Sequence, residues 1–160
     1  MSIRRFAVVS LVMIAVAAGA LSAVSAGKTL TNDPLTGLPI PPSEDKFNLG
    51  NEPMVLDAAQ MCKSTMKSDF YTPNGLKMNA TAAWYEPKLP GFKKVEGWHK
   101  DRTSVVFYKS DGTAAVAMTG MPAPQGQDSE VHGIVYSAFN PALPVKAFSG
   151  FTTGNVDCRQ

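Results

Sequence analysis

The hydrophobic pattern divides the chain into three textures. Residues 6–24 hold no charged side chain and run almost continuously apolar. Residues 27–53 show neither a helical nor a strand period. From residue 54 onward apolar positions recur first at helical and then at alternating spacing, the two periods that distinguish an amphipathic helix from a half-buried strand.

In residues 54–67, Val55, Ala58, Ala59, Cys62 and Met66 fall on one helical face, with Pro53 suited to the first turn. The competing reading is a strand across residues 61–71, because Cys62, Ser64 and Met66 also alternate. Tyr71-Thr72-Pro73-Asn74-Gly75 has the composition of a turn. Asn79 then stands as an N-cap before Ala80, Ala82 and Ala83, and Pro87 and Pro90-Gly91 stop that short helix.

Strands are expected beyond it, over residues 92–99, 102–109, 113–119 and 130–139. Val105-Val106-Phe107-Tyr108 is strongly β-favouring. Ser110-Asp111-Gly112 supplies the positive φ that a tight hairpin needs. Residues 148–156 read as an added edge strand. Ala114, Ala115 and Ala117 leave room for something bulky, and the helix bearing Trp84 and Tyr85 is the simplest occupant. The pattern predicts an α+β domain: a small antiparallel β-meander of four or five strands with one or two helices packed on one face. The other face is expected to carry Lys, Ser and Thr.

The ends of the chain change this picture. Arg4 and Arg5 precede the apolar run, and Val24-Ser25-Ala26 closes it. That is the n-region, h-region and cleavage site of a secretory signal peptide. Residues 1–26 are therefore expected to leave, with the cut between Ala26 and Gly27. The competing readings are a cut after Ala18-Gly19-Ala20 and an uncleaved anchor, since the run is near the shortest that spans a bilayer. The expected location is extracytoplasmic, secreted or periplasmic, with no stable membrane insertion after cleavage.

Residues 27–53 hold Pro34, Pro39, Pro41, Pro42 and Pro53 out of 12 prolines. A proline-rich extended leader follows, because proline fixes φ and removes a donor. Residues 54–160 form the single domain.

Cleavage would remove Arg4 and Arg5 from 15 basic residues, leaving a balance against the 13 acidic ones. No basic field remains to attract nucleic acid. The chain has two cysteines, Cys62 and Cys158. In an oxidising compartment they are expected to form one disulfide closing the domain, worth about 4–5 kcal/mol in the chain-entropy picture. A redox-active pair is the competing reading, against which stands the absence of C-x-x-C.

Motifs for catalysis are sparse. His99 and His132 lack the paired short spacing of a metal site, so no metal or cofactor is expected. Ser110, His99 and Asp111 could meet as a triad only through the fold. Glu86, Glu96, Asp101, Asp111 and Glu130 are the carboxylates available for acid–base work, with His99, Asp101 and Asp111 as the catalytic candidates. Trp84, Tyr85, Trp98, Phe107, Tyr108 and Tyr136 could line a ligand groove or fill the core. The loop from Met121 through Pro122 and Pro124 to Gln127 is uncharged and stiffened by proline. Asn79-Ala80-Thr81 matches an N-glycosylation acceptor.

These features point to an exported non-catalytic binding or accessory domain. Its expected partner is a protein or another envelope component. Trp84, Tyr85, Trp98, Tyr108, Met121, Pro122 and Pro124 are its candidate contacts. A small hydrolase using a carboxylate or His99, and a protease inhibitor presenting residues 121–127, are the alternatives.

Overall fold

The computed structural model describes residues 30–43, 48–50, 57–99 and 101–159. The expected signal peptide, residues 54–56 of the first candidate element and Lys100 of the first polar turn lie outside them. Five long strands and one short one make an antiparallel sheet: β1 (Asn48–Gly50), β2 (Thr65–Thr72), β3 (Phe92–His99), β4 (Arg102–Lys109), β5 (Ala114–Gly120) and β6 (Gly133–Asn140). Their order across the sheet is β1-β2-β6-β5-β4-β3. The run β3-β4-β5-β6 is thus a meander, and β2 joins its far side by pairing with β6. Three short helices sit against it: α1 (Asp57–Met61), α2 (Met78–Tyr85) and α3 (Gly150–Thr153). The α+β class and the helix-on-sheet arrangement are as the pattern predicts.

Residues 54–67 supply both of the readings considered for them. The helix ends at Met61, and Lys63 turns the backbone through φ 57°. The Ser64 amide closes the turn on the Ala59 carbonyl at 2.8 Å. Beyond it, alternation takes over and β2 begins. Cys62 sits in the turn, half-buried, and is bridged to Cys158, 96 residues away.

Both faces of the sheet are covered. On the first, Tyr71, Val105, Phe107, Val116, Met118, Ile134 and Tyr136 pack under Met78, Ala82 and Tyr85 of α2. Ile40 from the N-terminal segment closes this layer. On the second, Val106, Tyr108, Ala115, Ala117 and Phe139 pack under Ala59, Leu143, Ala147 and Phe148. The expectation of a polar second face is therefore corrected. Polar residues are present at the strand ends, but the middle of the face is apolar and needs its own cover.

The edge strand expected over residues 148–156 is also corrected. This stretch runs from the 3₁₀ turn Val145–Ser149 into α3, which stops at Gly154 in the left-handed region, φ 76°. Phe148 and Phe151, three apart, turn their rings toward one side and meet Phe139. Phe148 stacks on Tyr108 with centroids 4.4 Å apart. The space left by Ala115 and Ala117 is filled by this aromatic group and not by the helix of Trp84 and Tyr85, which lies on the opposite face. Gly97 allows the approach of α3: a Cβ there would stand 2.6 Å from Thr152 Cβ.

The cap of α2 differs from its expectation as well. Lys77 holds the N-cap position without a side-chain bond. Asp128, from the loop after β5, accepts the amides of Asn79 at 2.9 Å and Ala80 at 3.3 Å. A distant carboxylate does what the local Asn79 was expected to do, satisfying amides that a helix start leaves without partners.

The β4–β5 hairpin depends on Gly112, at φ 75°. A Cβ there would strike the Leu143 carbonyl oxygen. The Leu143 amide also donates to the Gly112 carbonyl at 2.9 Å, tying the turn to the second-face cover. Gly112→Ala is expected to cost about 2 kcal/mol or more, from the left-handed backbone and the forced shift together. Urea denaturation of the oxidised protein checks this, and an unchanged midpoint would show that the contact yields without cost.

Candidate functional site

The catalytic candidates are distributed along β4. His99 ends β3 opposite Arg102, and Asp101 occupies the turn that follows. Asp111 belongs to the turn at the other end of β4. An eight-residue strand separates the two turns, about 26 Å at strand rise. The structure does not bring Ser110, His99 and Asp111 into one constellation. Asp111 is also committed locally. It pairs with Lys109 at 2.8 Å and accepts the Thr113 amide and hydroxyl at 3.0 and 2.6 Å. Lys109 first, then Thr113, hold its carboxyl down to about 2. It is an ionised turn anchor and a weak base.

The aromatic candidates divide between core and surface. Tyr85 of α2 is buried against Phe107 and Tyr136 of the sheet, and Tyr108 is buried under Phe148. Trp84 is partly buried, edge-on to Tyr85 at 5.0 Å, with the Lys88 ammonium 4.4 Å over its ring. Trp98 is 67% exposed on β3. Met121 is 57% exposed and opens the loop after β5.

That loop is exposed but tied down. Its Ala123 amide donates to Ser129 Oγ at 3.1 Å, and its Gln127 amide to the Pro124 carbonyl at 3.0 Å. Asp128 caps α2, and the Met78 amide donates to the Ser129 carbonyl at 2.7 Å. Pro122 and Pro124 project from a segment held at its base by a helix and at its tip by a turn.

Beside Met121, the second-face cover stops short of one corner of the sheet. A cleft of about 310 Å³ opens there, bordered by Phe70, Asp101, Arg102, Thr119, Met121 and His132. The Phe70 ring lies over Gly133, where a Cβ would stand 2.7 Å from it. The cleft unites two sequence candidates, Asp101 and Met121, with His132. Sequence reasoning missed Phe70, Arg102 and Thr119 because no local motif marks them. They meet through the pairing of β2, β6, β5 and β4. Among the described residues, no group of three His, Cys, Asp or Glu stands close enough to hold a metal ion.

A second polar constellation lies under the N-terminal segment. Asp33 is 1% exposed. Its Oδ1 accepts the Tyr71 hydroxyl at 2.9 Å, and its Oδ2 accepts the amide and hydroxyl of Thr36 at 2.7 and 2.6 Å. Tyr136 donates to the Pro39 carbonyl at 2.9 Å, so the 2.6 Å contact between Tyr85 and Tyr136 has Tyr85 as donor. Burial pushes all three phenols well above their ordinary range, and they remain neutral donors. Asp69, on the same face of β2 as Tyr71, has its carboxyl raised, by burial first and then by Asp33. In the sequence only the turn dipeptide Asp33-Pro34 hints at this arrangement.

The phenol chain carries the carbonyl of a proline-rich segment that no strand could satisfy. Tyr136→Phe removes the donor to Pro39 and the acceptor for Tyr85, leaving two buried polar groups without partners. A loss of about 1–3 kcal/mol is expected in urea denaturation. A loss below about 0.5 kcal/mol would mean that water replaces the hydroxyl.

In comparison with known proteins, the chain matches no protein-family model, no curated protein and no solved structure, so its site is read from its own residues.

Proposed function

We propose that the protein is an exported, non-catalytic binding domain whose contact surface is the open corner of the sheet: the cleft beside Phe70 and Met121 with the adjoining loop of residues 121–127. The observation that carries this reading is the fastening of that loop. An exposed segment bound to a helix at its base and closed by a turn at its tip loses little freedom when a partner engages it. The neighbouring cleft adds an apolar floor, Phe70 and Met121, bordered by Asp101, Arg102 and His132, a mixture suited to recognition.

The disulfide between Cys62 and Cys158 supports an oxidising, extracytoplasmic setting. Among the described residues no helix is long and apolar enough to cross a membrane. Export rests on the pattern of residues 1–26. The natively exported protein is expected to show an intact mass starting at Gly27, with alkylation only after reduction. A full-length mass would mean a tethered protein.

The fastened loop also favours a second reading, a protease inhibitor with residues 121–127 as bait. The hydrolase reading has less support, because Asp111 stands apart from Asp101 and His99 and is already engaged by Lys109 and Thr113.

Replacing residues 121–127 by Gly and Ser, with Asp128 and Ser129 kept, is expected to lower partner recovery from an extracytoplasmic extract at least about tenfold, the scale of one lost anchor. Stability should move by less than about 1 kcal/mol, as for a surface loop. Undiminished recovery by the folded variant would remove the loop from the contact surface. Slow cleavage of the wild-type loop by a protease it blocks would favour the inhibitor reading.

A further inference from the structure

We propose that the Cys62–Cys158 bond is a clasp on a tail that is otherwise undocked. With the bond oxidised, residues 155–159 lie against the second-face cover; with both sulfurs reduced, they swing away as an arm carrying Cys158. The bond joins the turn after α1 to the tail across 96 positions, with Cα atoms 5.2 Å apart. Beyond α3 the described chain has no regular structure. Among the described residues, the backbone of residues 155–159 makes no hydrogen bond to any strand or to α1 or α2. Its bonds are local, from the Asn155 amide to Thr153 Oγ1 at 3.2 Å and from the Arg159 amide to Asp157 Oδ1 at 3.0 Å. The side chains of Asp157 and Arg159 pair with each other at 2.7 Å.

The contacts that reach beyond the tail are weak. Val156 is half-buried and rests on Gly150, where a Cβ would stand 2.8 Å from its Cγ2. Lys146 attracts the Asp157 carboxylate, and Arg159 borders a surface hollow beside Pro144; water screens such exposed charges. One half-buried valine does not offset the conformational entropy of five ordered residues. The covalent bond does, because it removes most of the freedom that docking would otherwise cost. The rest of the cover is seated without it. Ala59, Leu143, Ala147 and Phe148 are buried, and the Ser64 hydroxyl donates to the Pro141 carbonyl at 2.6 Å. None of these contacts uses a sulfur.

The same geometry sets the order of the thiol chemistry. Cys158 is exposed, whereas Cys62 is half-buried against the second-face core. On the released arm, the Cys158 thiolate reaches the disulfide of a partner thiol–disulfide donor. It attacks one sulfur of that disulfide, a mixed disulfide forms, and the partner's other sulfur leaves as a thiolate. The Cys62 thiolate then attacks Cys158 Sγ, the intramolecular bond forms, and the partner's remaining sulfur leaves. The two cysteines give up two protons and two electrons, and the partner's disulfide becomes a dithiol. Cys158 is thus the entry sulfur and Cys62 the resolving one. Only the place of this oxidation rests on the export reading; the release of the tail does not.

Backbone amide relaxation of the wild-type chain, first oxidised and then reduced with a phosphine, tests the clasp. The order parameters of Val156, Asp157 and Cys158 are expected to fall from about 0.85 to below about 0.6 on reduction, while those of β4 and β5 stay near about 0.85. A short pulse of iodoacetamide on the reduced chain, mapped by peptide mass, is expected to label Cys158 about tenfold faster than Cys62, as access to the thiol dictates. A tail that stays ordered in the reduced, folded chain would overturn the clasp, and so would a reduced chain that loses its sheet, or equal labelling of the two thiols. A protein that keeps its first 26 residues in the cell would defeat the export reading and leave these results unchanged.

Discussion

Val105, Val106, Phe107 and Tyr108 are consecutive and all buried. Successive residues of a strand point to opposite faces, so this run makes both faces of the sheet apolar. Ala115 to Met118 and Ile134 to Tyr136 do the same on the next two strands. A sheet of this kind requires a cover on each side, and the rest of the chain is arranged to provide it. The covering helices α1 and α3 have 5 and 4 residues, too short to persist alone. They exist because Ala59 of α1 and Phe151 of α3, with Ala147 and Phe148 of the 3₁₀ turn before α3, find an apolar surface, where each large buried side chain contributes about 1.5–3 kcal/mol. Covers and sheet therefore stabilise each other.

The two covers solve different polar problems. The C-terminal cover is mostly short helix and leaves few backbone groups to satisfy. The N-terminal cover is a proline-bearing turn, and its carbonyls and side chains reach the sheet without a ladder to join. Tyr71, Tyr85 and Tyr136 meet this need, since each has an apolar ring for the core and a hydroxyl for the turn. Among the described residues no buried side-chain nitrogen or oxygen lacks a partner. Tyr85, Phe107, Tyr108 and Tyr136, which could have lined a groove, are consequently spent on packing and on holding this segment, while Trp98 stays exposed. The corner that neither cover reaches stays open as a cleft.

Local pattern was enough wherever local chemistry decides. The β4–β5 hairpin follows from Asp111-Gly112, and α2 from its alanines and the prolines behind them. Pattern fell short where a residue answers to a distant partner. Asn79 has the right chemistry for a cap, but Asp128 arrives from another loop and takes its place. Ala115 and Ala117 correctly indicated a bulky neighbour. Which face they belonged to depended on β-pairing, and so did the identity of that neighbour. Residues 148–156 carry β-compatible Phe and Thr, but Phe148 and Phe151 stand three apart, the spacing of one helical face, and the uncovered second face selected a helix. Asp69 could not be singled out at all, because its neighbour Asp33 is 36 positions away and acts only across the folded interface.

The covers are also fastened by different chemistries. The second is tied by a disulfide at the end of the chain, a covalent link with no proton in it. The first is tied by hydrogen bonds, from the Tyr71 hydroxyl to Asp33 and from the Tyr136 hydroxyl to the Pro39 carbonyl. Alternation along β2 sets Asp69 and Phe70 back to back, and β6 similarly carries Gly133 beneath the cleft and Tyr136 beneath the N-terminal segment. The N-terminal cover and the open corner thus stand on opposite faces of the same two strands. The most direct physical connection between them is the backbone of β2 and β6, which both the N-terminal cover and the cleft use as their support.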